Sequence, residues 1–560
     1  MTSMIVDVTL ALLSLGLVVI LVIRGRRWYN RLSAPGPVGV PFVGVAWQIP
    51  SDKQWLKFHD WIERYGDVVA ITVMGQPTLI LGSAQVANDL LDAKGRHRSF
   101  RPAHISFQCG AHTYILPLSA LLEGAIYSDR PNAVMAGELV GWDRGLGYAH
   151  GPDNPRFREF RRLFQQSIGS RPCLDPHILG MQEEETHRLM LRILRDPKNF
   201  YRHPRESTGA LILRLAYGYE VANGMNARGE DALVRAVEVA MHGFAKASEP
   251  GAFLVDSFPT LRYVPEWILR LGGSNFKAVA RRMRKELDEM YDLPFAFVKN
   301  QMAAGKAVPS FTLSYLEEKG DPTPADEELI KAAAASLYSG GADTTPSSMT
   351  AFILAMTIHP AVQARAQAEL DAVLGASGQQ WARLPTFADR ARLPYVSALV
   401  LEILRWNPAV PLGLAHRLTR DDVYRGFSIP AGTVVWANIW SMLHDPKVFV
   451  EPERFMPERY LDKDGALREL ERHEDPSVIG FGFGRRICPG MFFAMNSIFI
   501  GITTMLYVFD ISKCKDGQGN EIVPEVDFRG FISHPVPFKC EIAPRSEETA
   551  ALIRRVAGEE

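Results

Sequence analysis

Apolar residues crowd the start of the chain. Val8 to Ile23 is an unbroken uncharged run, and Met4–Val6 extend it across Asp7. About 20 helical residues span a bilayer core, so residues 4–23 are predicted to form a transmembrane anchor. Asp7 is costly at mid-bilayer but lies near the outer end. Arg24, Arg26 and Arg27 follow at once, and Trp28 and Tyr29 suit the interface. The positive-inside rule puts these arginines in the cytoplasm and residues 1–3 across the membrane as a short lumenal end. A cleaved signal peptide has the opposite order, with charge before the apolar run and a small-residue site after it. Residues 24–45 form a basic and Pro/Gly-rich linker. Its segment Ala34-Pro35-Gly36-Pro37-Val38-Gly39-Val40-Pro41 cannot be helical and is predicted to be a stiff extended spacer.

Beyond the linker the pattern changes. Residues 66–82 alternate as two short strands, with a turn predicted at Gly75-Gln76-Pro77. Most of 155–410 carries apolar residues at three-to-four spacing, which predicts helices. No internal repeat or low-complexity block interrupts it, and no linker divides 46–545. The expectation is one large domain, mainly α with small β-sheets, followed by a C-terminal tail at 546–560.

Composition narrows the function classes. The chain is 47% apolar and 22% charged, which is ordinary for a globular protein. A formal net charge of -1 gives no basic surface for nucleic acid. Five cysteines (Cys109, Cys173, Cys488, Cys514 and Cys540) form no CxxC pair, which argues against a disulfide framework or structural zinc. Four of them need no role beyond that of a small buried hydrophobe.

Cys488 differs because of its neighbours. Residues 481–490 run Phe-Gly-Phe-Gly-Arg-Arg-Ile-Cys-Pro-Gly, and an apolar helix is predicted over Met491–Tyr507. Pro489 suits a first helical turn, which places Cys488 at the N-cap, where backbone N–H groups and the helix dipole favour a thiolate. Gly482, Gly484 and Gly490 permit tight turns and close approach to a flat cofactor. Arg485 and Arg486 add charge for an anionic carboxylate.

This segment resembles the haem-binding signature of the cytochrome P450 family, Phe-x-x-Gly-x-Arg-x-Cys-x-Gly. Phe481, Gly484, Arg486, Cys488 and Gly490 occupy all five fixed positions. A chance match is on the order of 10⁻⁴ for this composition. The resemblance implies haem b, with Cys488 as the axial ligand of its iron and the other four residues in the cofactor site. Three further segments follow the family in order. Glu402-Ile403-Leu404-Arg405 resembles its Glu-x-x-Arg helix, and Phe455-Met456-Pro457-Glu458-Arg459-Tyr460 its Pro-Glu-Arg segment. Together they imply a buried structural cluster of Glu402, Arg405 and Arg459. Ser339-Gly340-Gly341-Ala342-Asp343-Thr344-Thr345-Pro346 resembles its oxygen-binding helix. Pro346 cannot bond back to Ala342, so a kink is expected there even without the resemblance. On its own the kink leaves two readings open, a polar notch or Thr344 bonding its own backbone. The resemblance implies that Thr344 meets dioxygen and that Asp343 serves the proton supply.

Carboxylates of a haem need cationic partners. Phe157-Arg158-Glu159-Phe160-Arg161-Arg162 resembles the family's Trp-x-x-x-Arg segment, with Phe157 in place of Trp. That implies a propionate role for Arg161 and the loss of an indole N–H contact. His416-Arg417 lies where the family has another propionate partner, and either residue could serve. Pocket segments implied by the family are 131–145, 333–341, 408–414 and 528–534. The likeness is greatest to fungal microsomal members acting on secondary metabolites, through Val255-Asp256-Ser257-Phe258-Pro259 and Ser533-His534-Pro535-Val536-Pro537-Phe538. One departure stands out. Leu90-Leu91-Asp92 and Tyr127-Ser128-Asp129-Arg130-Pro131 are further apart than in the family, so about 97–124 is taken as an insertion and a candidate for translated intron sequence.

The implied function is a haem-thiolate monooxygenase that inserts one oxygen atom from O2 into an apolar small molecule such as a terpenoid, polyketide or indole. No Gly-x-Gly-x-x-Gly loop follows a strand, and no flavin-sized region is present. Electrons are therefore expected from NADPH through a separate cytochrome P450 reductase, with cytochrome b5 a further partner. The expected location is the endoplasmic reticulum membrane, with a single span and a cytoplasmic catalytic domain. The alternative is a haem-thiolate protein without oxygenase activity, either an isomerase or dehydratase or a chain disabled by the insertion.

Overall fold

A computed structural model of the chain describes residues 32–41, 43–92, 104–109, 112–117, 126–151, 154–221, 231–249, 251–271, 273–375 and 383–558. The predicted anchor at 4–23 lies outside the described residues. Among those described, one helix is long and apolar enough to cross a membrane, Met491–Val508, and it is buried in the core.

Helices dominate, as the three-to-four spacing predicts. Those that shape the site are α1 (Pro155–Ile168), α2 (His203–Tyr217), α3 (Ala232–Ser248), α4 (Phe276–Ala303), α5 (Pro324–Gly341), α6 (Thr344–Ile358), α7 (Pro394–Trp406) and α8 (Met491–Val508). Two are apolar on every face, α6 (Thr-Thr-Pro-Ser-Ser-Met-Thr-Ala-Phe-Ile-Leu-Ala-Met-Thr-Ile) and α8, which is the pattern of a helix surrounded by protein. They pack on one another and on α7, and Phe352, Ile403, Phe499 and Leu506 are wholly buried there.

The predicted pair of strands is β1 (Val68–Val73) and β2 (Gln76–Leu81), joined antiparallel. Their turn is Met74-Gly75, one residue earlier than expected. Val73 pairs with Gln76, and both turn residues have positive φ, +47° and +80°. A two-residue turn with positive φ matches strand twist, and Gly75 supplies the freedom it needs. After β3 (His104–Cys109), β4 (His112–Pro117) and β5 (His416–Arg417) come β6 (Asp422–Tyr424), β7 (Phe427–Ile429) and β8 (Val434–Ala437). The main sheet has the order β1-β2-β8-β5, with β2 and β8 parallel. Strands β9 (Phe509–Ser512), β10 (Phe528–Arg529), β11 (His534–Pro535) and β12 (Glu541–Pro544) make two small sheets, β9 with β12 and β10 with β11.

Three expectations change. The Pro-rich spacer does not hang free. Ala70 N donates to Pro35 O at 2.8 Å, and Val45 N to Thr72 O at 2.9 Å, so the segment lies along the edge of β1. Gly36 is required there, since a Cβ would lie 1.8 Å from Ala70 O. The end of the chain is not a tail either. Ser546 and Thr549 form a capping box, and the helix Glu547–Val556 buries Leu552 and Ile553 against the core around α8. Lastly, the suspected insertion contains a two-stranded antiparallel hairpin, β3 with β4, which forms a sheet of its own.

Candidate functional site

The Cys488 loop is built by the backbone of its own motif. Cys488 N donates to Phe481 O at 2.9 Å, and Ile487 N to Gly484 O at 3.2 Å. Gly484 has φ +60°, and a Cβ there would lie 2.1 Å from Leu91 O. Its close approach is thus to the segment after β2, not to open space. Helix α8 starts at Met491 as predicted, but its N-cap is Gly490 and not Cys488, so Cys488 precedes the cap by two residues. Gly490 still serves the sulfur, because its N–H bonds Cys488. A Cβ at Gly490 would find 3.6 Å of clearance from Ile168, so it is the N–H rather than the missing side chain that matters. Burial pushes the thiol of Cys488 up, against the pull of the Gly490 N–H and of Arg161. Cys488 as a residue keeps some accessible surface although its thiol is surrounded by protein, which is what a residue beside an internal space would show. Phe481 packs half-buried on the core around α8.

Basic side chains surround this space. Arg161 on α1 donates through Nη1 to Ile487 O at 2.6 Å, which braces the residue before the sulfur. Arg486 donates to Ser128 O (Nε, 2.7 Å) and Ala149 O (Nη2, 2.8 Å) and lies 4.0 Å over the ring of Phe157. Phe157 has thus become a cation–π platform. Arg130, used above only to mark the end of the insertion, donates to Gly147 O, Leu414 O and Ala415 O. Burial pushes Arg486 down to about 8, with Arg130 adding to the effect, and pushes Arg130 down to about 10. His416 is pushed down to about 3 by burial and by Arg130, and its Nδ1 lies 2.8 Å from Tyr127 O. Arg417 is turned away from this group, with Nε donating to Asp129 at 2.8 Å and Nη1 to Asn132 at 3.2 Å.

Haem is the group that the family signature implies, and these residues fit it. Three guanidiniums gather beside a thiol in the interior. The nearby carboxylate, Asp129, is held by Arg417, and Arg486 Nη1 is buried with no hydrogen bond among the described residues. Buried cations require an anion, and two propionates supply it. A soft thiol facing the same space suits iron.

Residues 339–346 span the α5–α6 break. Helix α5 ends at Gly341 and α6 starts at Thr344, with Asp343 at φ -126° between them. Pro346 has no N–H for Ala342 O, and the ladder resumes with Ser347 N donating to Asp343 O at 3.2 Å. Thr344 Oγ1 donates to Gly340 O at 2.9 Å, the back-bonding reading of the sequence. Asp343 faces elsewhere: His534 Nε2 lies 3.0 Å and Arg205 Nη2 3.3 Å from its Oδ1. The structure therefore sets Asp343 and Thr344 next to one another without joining their side chains. From Gly340 to Thr344 the chain keeps accessible surface, whereas Thr345–Thr357 is buried throughout.

Aromatic rings from separate segments meet nearby. Phe244 on α3 contacts Trp142 at 4.7 Å, Tyr148 at 6.0 Å and Phe531 at 6.0 Å between centroids, all edge-to-face. Trp142 and Phe531 come from two of the predicted pocket segments; Phe244 and Tyr148 do not.

Behind the Cys488 loop, Glu402, Arg405 and Arg459 meet. Glu402 accepts from Arg405 Nε (2.8 Å) and Nη2 (2.9 Å), from Arg459 Nε (3.0 Å) and from Met456 N (2.7 Å).

Comparison with known proteins agrees with this geometry. The family model described as Cytochrome P450 matches residues 222–542. Cytochrome P450 monooxygenase 208 of Postia placenta is 44% identical over 534 residues, covering 95% of this chain and 94% of its own length. Cytochrome P450 monooxygenase claR of Ampulloclitocybe clavipes is 39% identical, covering 98% and 93%. Tryptamine 4-monooxygenase of Psilocybe cyanescens is 34% identical, covering 96% and 97%.

Proposed function

The chain belongs to the cytochrome P450 family and is an oxidoreductase of the monooxygenase class, and on that premise we propose that it oxidises an apolar, ring-bearing small molecule of fungal secondary metabolism. The carrying observation is the thiol of Cys488 facing an interior space ringed by Arg130, Arg161 and Arg486. Haem bound there supplies the activation of dioxygen and the oxidation itself. The protein supplies the rest. Cys488 would give the sulfur that holds the iron, and the Gly490 N–H steadies its charge. Arg130, Arg161 and Arg486 hold the carboxylates. His416, with Nδ1 donating to Tyr127 O, adds a further donor only once an anion nearby favours its protonated form. Asp343 and Thr344 handle protons at the helix break. The Trp142–Phe244–Tyr148–Phe531 cluster favours a flat apolar substrate. An indole fits this wall, and the likeness to a tryptamine 4-monooxygenase supports that choice among terpenoids, polyketides and indoles.

NADPH electrons arrive through a separate cytochrome P450 reductase, with cytochrome b5 as a second donor. The chain is held in the endoplasmic reticulum membrane by residues 4–23, with its catalytic domain in the cytoplasm. The apolar run and the arginines after it support this placement. The test is Cys488→Ala. The variant keeps its helical circular dichroism but loses the thiolate-type band of the reduced CO complex and all turnover. A variant that retains that band refutes the ligand assignment.

A further inference from the structure

The reading above leaves unexplained why Asp343, at the centre of the helix break, points away from Thr344. Its carboxylate is shared by two basic groups from distant segments. His534 Nε2, on β11, lies 3.0 Å from Oδ1, and Arg205 Nη2, on α2, lies 3.3 Å from the same oxygen. The two bases are 3.4 Å from one another. Asp343 and His534 are nearly enclosed, with side-chain exposures of 23% and 17%, while Arg205 reaches solvent at 46%. Among the described residues, these are the ionisable groups placed against Asp343. Arg529, opposite His534 in the β10–β11 ladder, is turned to Asp527.

The placement of His534 is enforced by its neighbour. Ser533 is wholly buried and tied on four sides. Its N–H donates to Ala409 O at 2.8 Å and its Oγ to Asn407 Oδ1 at 2.8 Å, while its carbonyl accepts from Asn407 Nδ2 at 3.2 Å and from Ser347 Oγ. Ser347 lies one turn after Asp343 on the same helix, and its N–H bonds Asp343 O. The segment that carries His534 is thus fixed to the helix that carries Asp343. A surface histidine needs no such anchoring, whereas a proton donor held at bonding distance does.

We propose that His534 is a proton-positioning residue of the oxygenase, relaying protons from solvent to Asp343, with Arg205 restraining the carboxylate between deliveries. This rests on the monooxygenase reading. In each delivery His534 Nε2 passes one proton to the Asp343 carboxylate, that proton leaves Asp343 toward the break, and solvent returns one to the imidazole, so the charge of the group is restored.

The test uses the full-length holoenzyme with its reductase. His534→Gln keeps an N–H toward Asp343 but cannot carry a proton. The expected result is an unchanged thiolate-type CO band, a several-fold rise in NADPH lost as peroxide, and disappearance of the histidine limb from the pH profile of coupled turnover. Apart from turnover, NMR of 13C-histidine-labelled ferric enzyme locates the His534 resonance as the signal missing from His534→Gln, and Asp343→Asn displaces that resonance. Wild-type coupling and pH profile in His534→Gln, or a His534 resonance unmoved by Asp343→Asn, overturns the relay. Thr344→Ala and Asp343→Asn separate the two levels. If both leave coupling intact, the proton role of the break itself fails. If they uncouple while His534→Gln does not, only the relay fails.

Discussion

Glu402→Ala is the perturbation with the largest calculable effect. Glu402 and Arg405 are fully buried, and the Arg459 side chain is 6% exposed. Burial alone would push Arg405 down, but the Glu402 carboxylate overrides it and holds Arg405 above the ordinary arginine value. Removing the carboxylate leaves two buried guanidiniums without their anion and Met456 N without its acceptor. Loss of one partner from a buried pair costs about 3–5 kcal/mol, and the stranded N–H about 1–3 kcal/mol. The two guanidiniums share one carboxylate and keep bonds to Leu443 O, Arg454 O and Val450 O, so their costs do not simply add. The total is about 5–8 kcal/mol, against about 5–15 kcal/mol for a whole domain. Glu402→Ala should therefore yield little haem-loaded protein, and its reduced CO spectrum should lack the thiolate-type band, although no residue of the haem site is touched. Arg459→Leu breaks one of the two pairs and should lower the melting temperature while leaving a measurable holoenzyme fraction. A Glu402→Ala enzyme with a melting temperature within a degree or two of wild type would refute the argument that this cluster holds the Cys488 side of the core.

Two further expectations are independent of that cluster. Burial raises Asp256 to about 6, although the Met135 N–H donates to it at 2.8 Å. An acid raised on folding binds its proton more tightly in the folded chain, so stability falls as pH rises from about 4 to 6 and stays lower above. Asp256→Asn should thus be more stable at pH 7.5, by at most about 3 kcal/mol, and indistinguishable from wild type near pH 4 in thermal unfolding; an equal gain at both pH values contradicts the titration. Phe157→Trp offers Arg486 a stronger cation–π face and restores an indole N–H, worth about 0.5–1 kcal/mol. Haem transfer to an apo-globin acceptor should slow by about two- to five-fold, and an unchanged or faster rate counts against the platform role.

What the sequence revealed followed how local each signal was. The Cys488 loop is closed by bonds within ten residues, so its motif carried nearly all of its geometry; only the N-cap was misplaced, because Pro489 is as acceptable just before a cap as just after it. Glu402 and Arg405 share a helix face and were legible as a pair, but Arg459 joins them through the tertiary fold. The Glu547–Val556 helix was hidden by its length, since ten residues hold only one apolar stripe. The Asp343–His534 contact spans 191 positions and leaves no periodic trace. Arg130 was overlooked for a different reason. Its segment was weighed as a landmark for the insertion, and a lone arginine beside a proline carries no local sign of burial.

The basic ring explains why arginine, rather than lysine, fills these positions. A guanidinium has five donors in a fixed plane, so it can hold the backbone with some and keep others for an anion. Arg486 commits Nε and Nη2 to Ser128 O and Ala149 O, while Nη1 stays buried and unbonded. Arg130 commits Nε and Nη1 to three carbonyls, and Arg161 uses Nη1 to brace Ile487. Each therefore joins two tasks. Arg161 and Arg486 tie distant segments to the Cys488 segment and Arg130 ties residues 147 and 414–415 to its own loop, while each offers charge for the carboxylates. Without an anion the second task is destabilising, which is why burial pushes Arg486 and Arg130 down. With the propionates in place the same charges become attractive. On the proposed reading, binding the cofactor would also stabilise the loops at 128–130, 147–149 and 414–415, and part of the haem affinity would be folding free energy.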